Sequence, residues 1–145
     1  MSDVLSLSQV KVPGSARSKD DAIREAGRIL VDAGAVTPDY IDAMFEREKS
    51  VSTYMGNYLA IPHGTNESKE TIKRSALSVV RYPEPIDWDG NEVLFALGIA
   101  GYQGGHMDIL SRIAIVFSDT DEVDKLVAAK SPEEIYDLLN AVNEG

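Results

Sequence analysis

Gly56-Asn57-Tyr58-Leu59-Ala60-Ile61-Pro62-His63-Gly64-Thr65 sets a short apolar run directly before a proline, a histidine and a glycine. Leu59 to Ile61 reads as a buried strand. Proline fixes its own φ and lacks the N–H that a central strand uses, so the strand stops at Pro62. Gly64 lets the backbone turn tightly without side-chain bulk. This spacing holds the His63 imidazole at the end of a rigid strand on an open loop, where α/β proteins tend to place chemistry. A lone loop histidine more often has no role. The chain holds only two histidines, however, and the second, His106, follows the similar glycine-rich stretch Gly104-Gly105.

Upstream, Val10, Val12 and Pro13 suggest a short extended lead-in. Ser18 then reads as an N-cap, with Asp20 and Asp21 in a first turn where the helix dipole favours anions. Ile23, Ala26, Ile29, Leu30 and Ala33 follow at helical spacing, and Gly34 closes the helix. A second helix is expected from Thr37 as cap and Pro38 at the first position. It buries Ile41, Met44 and Phe45, and its exposed end is Glu46-Arg47-Glu48-Lys49.

Downstream, Asn66 to Arg74 reads as a short polar helix or an irregular crossover, and Ala76 to Arg81 as a strand. Pro83-Glu84-Pro85 and Asp87-Trp88-Asp89-Gly90-Asn91 read as turns. Val93 to Ala100 is the strongest strand, suited to burial on both faces. From Met107 the apolar spacing is helical through Ile109, Leu110, Ile113, Val116 and Phe117. The run Ile113 to Phe117 is also β-friendly, and the preceding spacing decides for helix. Asp121 to Ala129 and the capping box Ser131-Pro132-Glu133-Glu134 open two more helices. Strands alternating with helices imply a single α/β domain over residues 1–145.

The 145 residues fit one domain, and 43% apolar and 26% charged residues are ordinary for a soluble globular protein. No apolar stretch spans a bilayer, and the N-terminus has no signal-peptide pattern, so a cytoplasmic location is expected. The absence of cysteine excludes disulfides, thiolate metal sites and cysteine nucleophiles. The net charge is −10, with −2 over residues 1–63 (7 basic, 9 acidic) and −8 over 64–145 (7 basic, 15 acidic). Such a chain repels phosphate backbones and anionic lipid, which argues against nucleic-acid and membrane-surface roles. Its acidic groups could steer a basic protein partner or serve solubility alone.

His63 and His106 each follow an apolar run that reads as a central strand. If those strands are parallel neighbours, both imidazoles reach one rim of the sheet, with Arg47 available from the preceding helix end. A metal site needs three or four ligands, and two histidines with no accompanying acidic motif do not supply them. No Gly-x-Ser-x-Gly elbow, phosphate-binding loop or dinucleotide fingerprint occurs, and no cofactor is expected. Histidine as a nucleophile toward phosphorus remains. Neutral imidazole carries a lone pair near pH 7, and its phosphoramidate readily passes the phosphoryl group on. A second imidazole, a guanidinium, Thr65 and backbone N–H groups after Gly64 are suitable donors to the phosphoryl oxygens.

Glu46-Arg47-Glu48-Lys49, Tyr54-Met55-Gly56-Asn57 and Ala60-Ile61-Pro62-His63-Gly64-Thr65 closely resemble the IIA domains of the bacterial phosphoenolpyruvate-dependent sugar phosphotransferase system. The likeness is to the type-2, mannitol–fructose group, which also includes nitrogen-regulatory members. It implies a mixed β-sheet sandwiched between layers of α-helices. It implies that His63 takes a phosphoryl group, on Nε2, from the phosphocarrier HPr and gives it to a IIB domain of a membrane sugar permease. By the same likeness His106 and Arg47 stabilise the phosphoryl charge, and His106 favours the mannitol type. Asn57 stands where some mannitol members have glutamate; with Gly64 and Thr65 it is a candidate binding residue. Met55, Tyr58, Tyr102 and Met107 are candidates for the apolar docking patch, though each could equally be core. The alternatives are a regulatory module whose phosphorylation state controls a partner, and a metal- or anion-binding module.

Overall fold

The computed structural model describes residues 4–65, 70–102 and 106–140, with His106 described by its backbone alone. Five strands form one mixed sheet in the order β1-β4-β5-β3-β2. These are β1 (Val10–Lys11), β2 (Tyr54–Gly56), β3 (Leu59–Ala60), β4 (Ala76–Trp88) and β5 (Asn91–Ala100). β1 runs parallel to β4 and β3 parallel to β5, while β4–β5 and β2–β3 are antiparallel. The helices are α1 (Lys19–Asp32), α2 (Asp39–Ser50), α3 (His106–Phe117), α4 (Thr120–Ala128) and α5 (Pro132–Leu139).

The expected sandwich is present, and the strand pleat explains it. Along β5, Phe95, Leu97 and Ile99 point to one face and Ala96 and Ala100 to the other. Leu77, Val79, Phe95, Leu97 and Ile99 meet Ile109, Ile113, Phe117, Leu126, Ile135 and Leu139 of α3–α5. Ala60, Val80, Tyr82, Ala96 and Ala100 meet Ala22, Ile23, Leu30, Tyr40 and Met44 of α1 and α2. Each large side chain fully buried in these layers contributes about 1.5–3 kcal/mol. An open surface pair such as Arg17 with Glu84, whose side chains are 82% and 79% exposed, contributes at most about 1 kcal/mol, so packing decides the fold.

Helix ends follow their local chemistry. The Ser18 hydroxyl accepts the Asp21 N–H, and the Ser131 hydroxyl accepts the Glu134 N–H. α3 runs through Ile113–Phe117, as the helical spacing requires. The second helix starts one residue later than expected: Pro38 is the N-cap, and the buried Thr37 hydroxyl makes no capping bond. Its buried stripe is Tyr40, Met44 and Glu48, with Ile41 and Phe45 half-buried.

One expected turn proves to be strand. β4 continues through Pro83-Glu84-Pro85 to Trp88, because its pairing to β5 lapses between Arg81 and Ile86 and β1 reaches only Val79 and Val80. The prolines therefore interrupt no ladder. The other expected turn, within Asp87-Trp88-Asp89-Gly90-Asn91, forms at Asp89–Gly90, with φ of 54° and 93°, the two-residue left-handed geometry that suits a twisted hairpin. β2 pairs with β3. Residues 66–69 of the expected crossover lie outside the described residues, and Ile72 bridges to Val36.

α1 lies close on the sheet at Gly98. A Cβ there would sit 2.5 Å from the Ser78 hydroxyl and 3.2 Å from both the Ala26 Cβ and its carbonyl oxygen. That hydroxyl already donates to the Ala26 carbonyl at 2.8 Å and accepts the Gly98 N–H at 3.2 Å. Gly98→Ala is expected to destabilise the fold by about 1–3 kcal/mol, read as a lowered Tm with an unchanged far-ultraviolet circular dichroism spectrum.

Candidate active site

β3 ends as the proline requires. Leu59 and Ala60 pair with Phe95 and Ala96, and the same parallel register returns once, at a bridge between His63 and Ile99. The Ile99 N–H donates to the Pro62 carbonyl at 3.0 Å. Hydrogen-bonding groups of successive strand residues face opposite edges, so those of Ile61 face away from β5. The Ile61 N–H donates to the Thr53 carbonyl at 3.0 Å. The Ile61 carbonyl lies 2.8 Å from His63 Nδ1.

That contact settles the tautomer, since a carbonyl can only accept and Nδ1 must therefore carry the proton. The lone pair of the neutral ring is then on Nε2. The half-buried imidazole is fixed by a main-chain atom two residues away.

The backbone leading into this contact is anchored on a buried acid. Glu48, expected on the exposed end of α2, is only 7% exposed, because residues 40, 44 and 48 share one helix face. Its carboxylate accepts the Thr53 N–H at 3.0 Å, the Thr53 hydroxyl at 2.5 Å and the Trp88 indole N–H at 3.1 Å. Lys19 Nζ lies 3.5 Å from it and 2.8 Å from Asp89. Burial opposes the charge on Lys19, but Asp89 and Glu48 outweigh it and hold the ammonium above its usual pKa. The path Glu48–Thr53–Ile61–His63 thus runs from a paired charge to the imidazole through hydrogen bonds.

The other expected residues divide. His106 is the first residue of α3, six positions after β5 ends at Ala100, and β5 bridges to His63 one residue earlier, at Ile99; the His106 side chain lies outside the described residues. Arg47 is in the last turn of α2, where one Nη1–H donates to the Val51 carbonyl at 2.9 Å, one of the guanidinium's five donors. The Gly64 N–H is directed inward, donating to the Tyr40 hydroxyl at 2.8 Å, so it is not an open donor for a ligand. Thr65 follows, half-buried. Asn57 does not join the site. It lies in the β2–β3 turn at the opposite end of β3, and its amide donates to the Phe117 carbonyl at 2.7 Å. The four docking candidates are all exposed: Met55 49%, Tyr58 42%, Tyr102 42% and Met107 59%.

The sequence profile of the family described as "Phosphoenolpyruvate-dependent sugar phosphotransferase system, EIIA 2" matches residues 3–142. The chain belongs to this family. It is 51% identical over 141 residues to the mannitol-specific phosphotransferase enzyme IIA component of Halalkalibacterium halodurans, covering 97% of each chain. It is 44% identical to the protein of that name from Bacillus subtilis, covering 97% of this chain and 99% of that one. Among solved structures, it matches a complex of enzyme IIAMTL and phosphorylated enzyme IIBMTL from Escherichia coli with a TM-score of 0.88. That match has 29% identity and covers 94% of this chain and 97% of that one. Nitrogen regulatory protein IIA-Ntr from Neisseria meningitidis matches with a TM-score of 0.76 and 27% identity, over 94% and 96% of the chains.

Glu48→Ala leaves the Trp88 indole and the Thr53 N–H and hydroxyl without their acceptor and leaves Lys19 paired with Asp89 alone of its two carboxylates. The expected loss is about 3 kcal/mol, measured by urea unfolding. A variant with wild-type stability would show that the carboxylate is not a structural anchor.

Proposed function

We propose that this chain is a cytoplasmic IIA component of a phosphotransferase system of the mannitol type. It takes a phosphoryl group from phospho-HPr on His63 Nε2 and passes it to a IIB domain, which couples the transfer to sugar uptake. The observation that carries this reading is the Nδ1–Ile61 carbonyl bond, which puts the ring proton on Nδ1 and the lone pair on Nε2 and so supports Nε2 as the nucleophile. The P–N bond to Nε2 forms as the bond to the donor breaks, and Nδ1 keeps its proton throughout. The phosphorylated ring is then cationic, with the Ile61 carbonyl facing its N–H. In the onward step the P–N bond breaks and neutral imidazole departs, a better leaving group than its anion.

His106 and Arg47 are proposed to stabilise charge on the equatorial phosphoryl oxygens, and Thr65 to add a neutral donor. Met55, Tyr58, Tyr102 and Met107 are proposed to line the docking face. The mannitol type is favoured over the nitrogen-regulatory type by relatives near 50% identity that carry the mannitol name. It is also favoured by a TM-score of 0.86 to Escherichia coli IIA mannitol against 0.76 to the nitrogen regulatory protein. Among the described residues no helix is long and apolar enough to cross a membrane. That agrees with a separate membrane permease.

The test is intact-protein mass after incubation with phosphoenolpyruvate, Enzyme I and HPr. Wild type gains one acid-labile phosphoryl group, and His63→Ala gains none. His106→Ala and Arg47→Ala still fold and transfer roughly 10–100-fold more slowly. A folded wild type that gains no mass overturns the reading.

A further inference from the structure

We infer that Tyr40 is a positioning residue for phosphoryl transfer, holding the backbone of His63 in place through a hydroxyl inserted between the chain and β5. The inference rests on the reading of His63 as the phosphoryl carrier. It starts from the bridge between His63 and Ile99. A parallel bridge has two links: the carbonyl before the residue accepts from its partner's N–H, and the N–H after it reaches toward its partner's carbonyl. The first link is direct, with the Ile99 N–H donating to the Pro62 carbonyl at 3.0 Å. The second carries the tyrosine. The Gly64 N–H donates to the Tyr40 hydroxyl at 2.8 Å, and that hydroxyl donates to the Ile99 carbonyl at 2.6 Å.

The segment needs this support because Pro62 has no N–H to offer β5 and Gly64 resists no torsional drift. Both residues flanking His63 are nevertheless tied to Ile99. Ile99 is fully buried in the central strand, and Tyr40 is 2% exposed on the buried face of α2. The hydroxyl must stay protonated to donate, and burial, partly countered by the Gly64 N–H, pushes its pKa up to about 12. Tyr40 therefore works from beneath the loop, fixing the direction from which Nε2 meets phosphorus. A displacement of about 1 Å at a reacting atom can cost on the order of 100-fold in rate.

The experiment compares wild type, Tyr40→Phe and Met44→Ala in rapid-quench transfer from phospho-HPr. The Phe variant keeps the ring and removes only the bridging oxygen. Met44 is fully buried one turn further along α2 and has no polar link to the loop, so its variant reports a purely structural loss. Tyr40→Phe is expected to fold, to keep KM for phospho-HPr within about twofold and to lose about tenfold or more in kcat. The His63 Nδ1–H resonance in ¹⁵N-edited spectra should broaden in that variant. Met44→Ala is expected to lower Tm at least as far with kcat and the resonance unchanged. Wild-type kcat in Tyr40→Phe overturns the inference, as does an equal kcat loss in Met44→Ala. A wild type that takes no phosphoryl group overturns the carrier reading itself, and this inference with it.

Discussion

The hydrogen bond from His63 Nδ1 to the Ile61 carbonyl is the contact on which the proposed chemistry depends, and it exists because a strand is interrupted. Ile61 is the last residue before Pro62, and its polar groups face the edge away from β5. Its N–H is taken by Thr53, while its carbonyl lies past the end of the β2 pairing, whose register begins at Tyr54 with Ala60. The ring of His63 takes the position that a further strand residue would hold. An acceptor fixed in a sheet cannot rotate to suit the other tautomer, as a side-chain amide or hydroxyl could. The tautomer is therefore set by the same backbone geometry that ends the strand.

Around this contact buried polar side chains reach out to backbone groups. Glu48 satisfies Thr53, Tyr40 satisfies Gly64 and Ile99, and Ser78 satisfies Gly98 and Ala26. Glu48 and Tyr40 act where the chain leaves the regular ladder, so each offsets a desolvation cost of about 1–3 kcal/mol that an unpaired amide or carbonyl would carry. Glu48 shows how several such demands converge. Three donors and an ammonium meet one carboxylate, which makes its burial tolerable.

Much of this was legible in the chain, and the exceptions have physical causes. Pro62 and Gly64 announce the strand end, and Ser18 and Ser131 announce their helices, because caps and breakers act within three or four residues. The parallel pairing of β3 with β5, which puts both histidine-bearing ends on one rim, was the conditional step in the sequence argument, and the register supports it. Glu48 was misread because Glu46-Arg47-Glu48-Lys49 looks like a solvated run; the spacing Tyr40, Met44, Glu48 was the signal that it faces inward. Tyr40 left no local trace, since its task depends on where β5 passes. β4 was cut short at Pro83 because one sequence does not reveal which strand edges lie unpaired. Asn57 sits next to the site in sequence but at the other end of β3 in space; the four steps from Leu59 to His63 alone span roughly 13 Å at strand rise.

That separation bears on how a partner could be met. Asn57 and Tyr58 both adopt left-handed backbone, with φ of 50° and 67°, a conformation costing about 1 kcal/mol or more for a bulky residue. The turn is held there by bonds from outside it. Leu94 and Phe95 donate to the Tyr58 carbonyl, and the Asn57 amide reaches the end of α3. The result is a tyrosine kept 42% exposed although its neighbours Leu59 and Ala60 are buried. Tyr102 and Met107 are exposed by the opposite end of the β3–β5 pair, where His63 lies. A standard protein interface buries roughly 800 Å² on each partner, a patch broad enough to touch both ends of so short a strand. The strained turn and the histidine rim then mark two edges of one proposed docking face, built on the same two strands, so the elements that orient the nucleophile also fix the apolar contacts beside it.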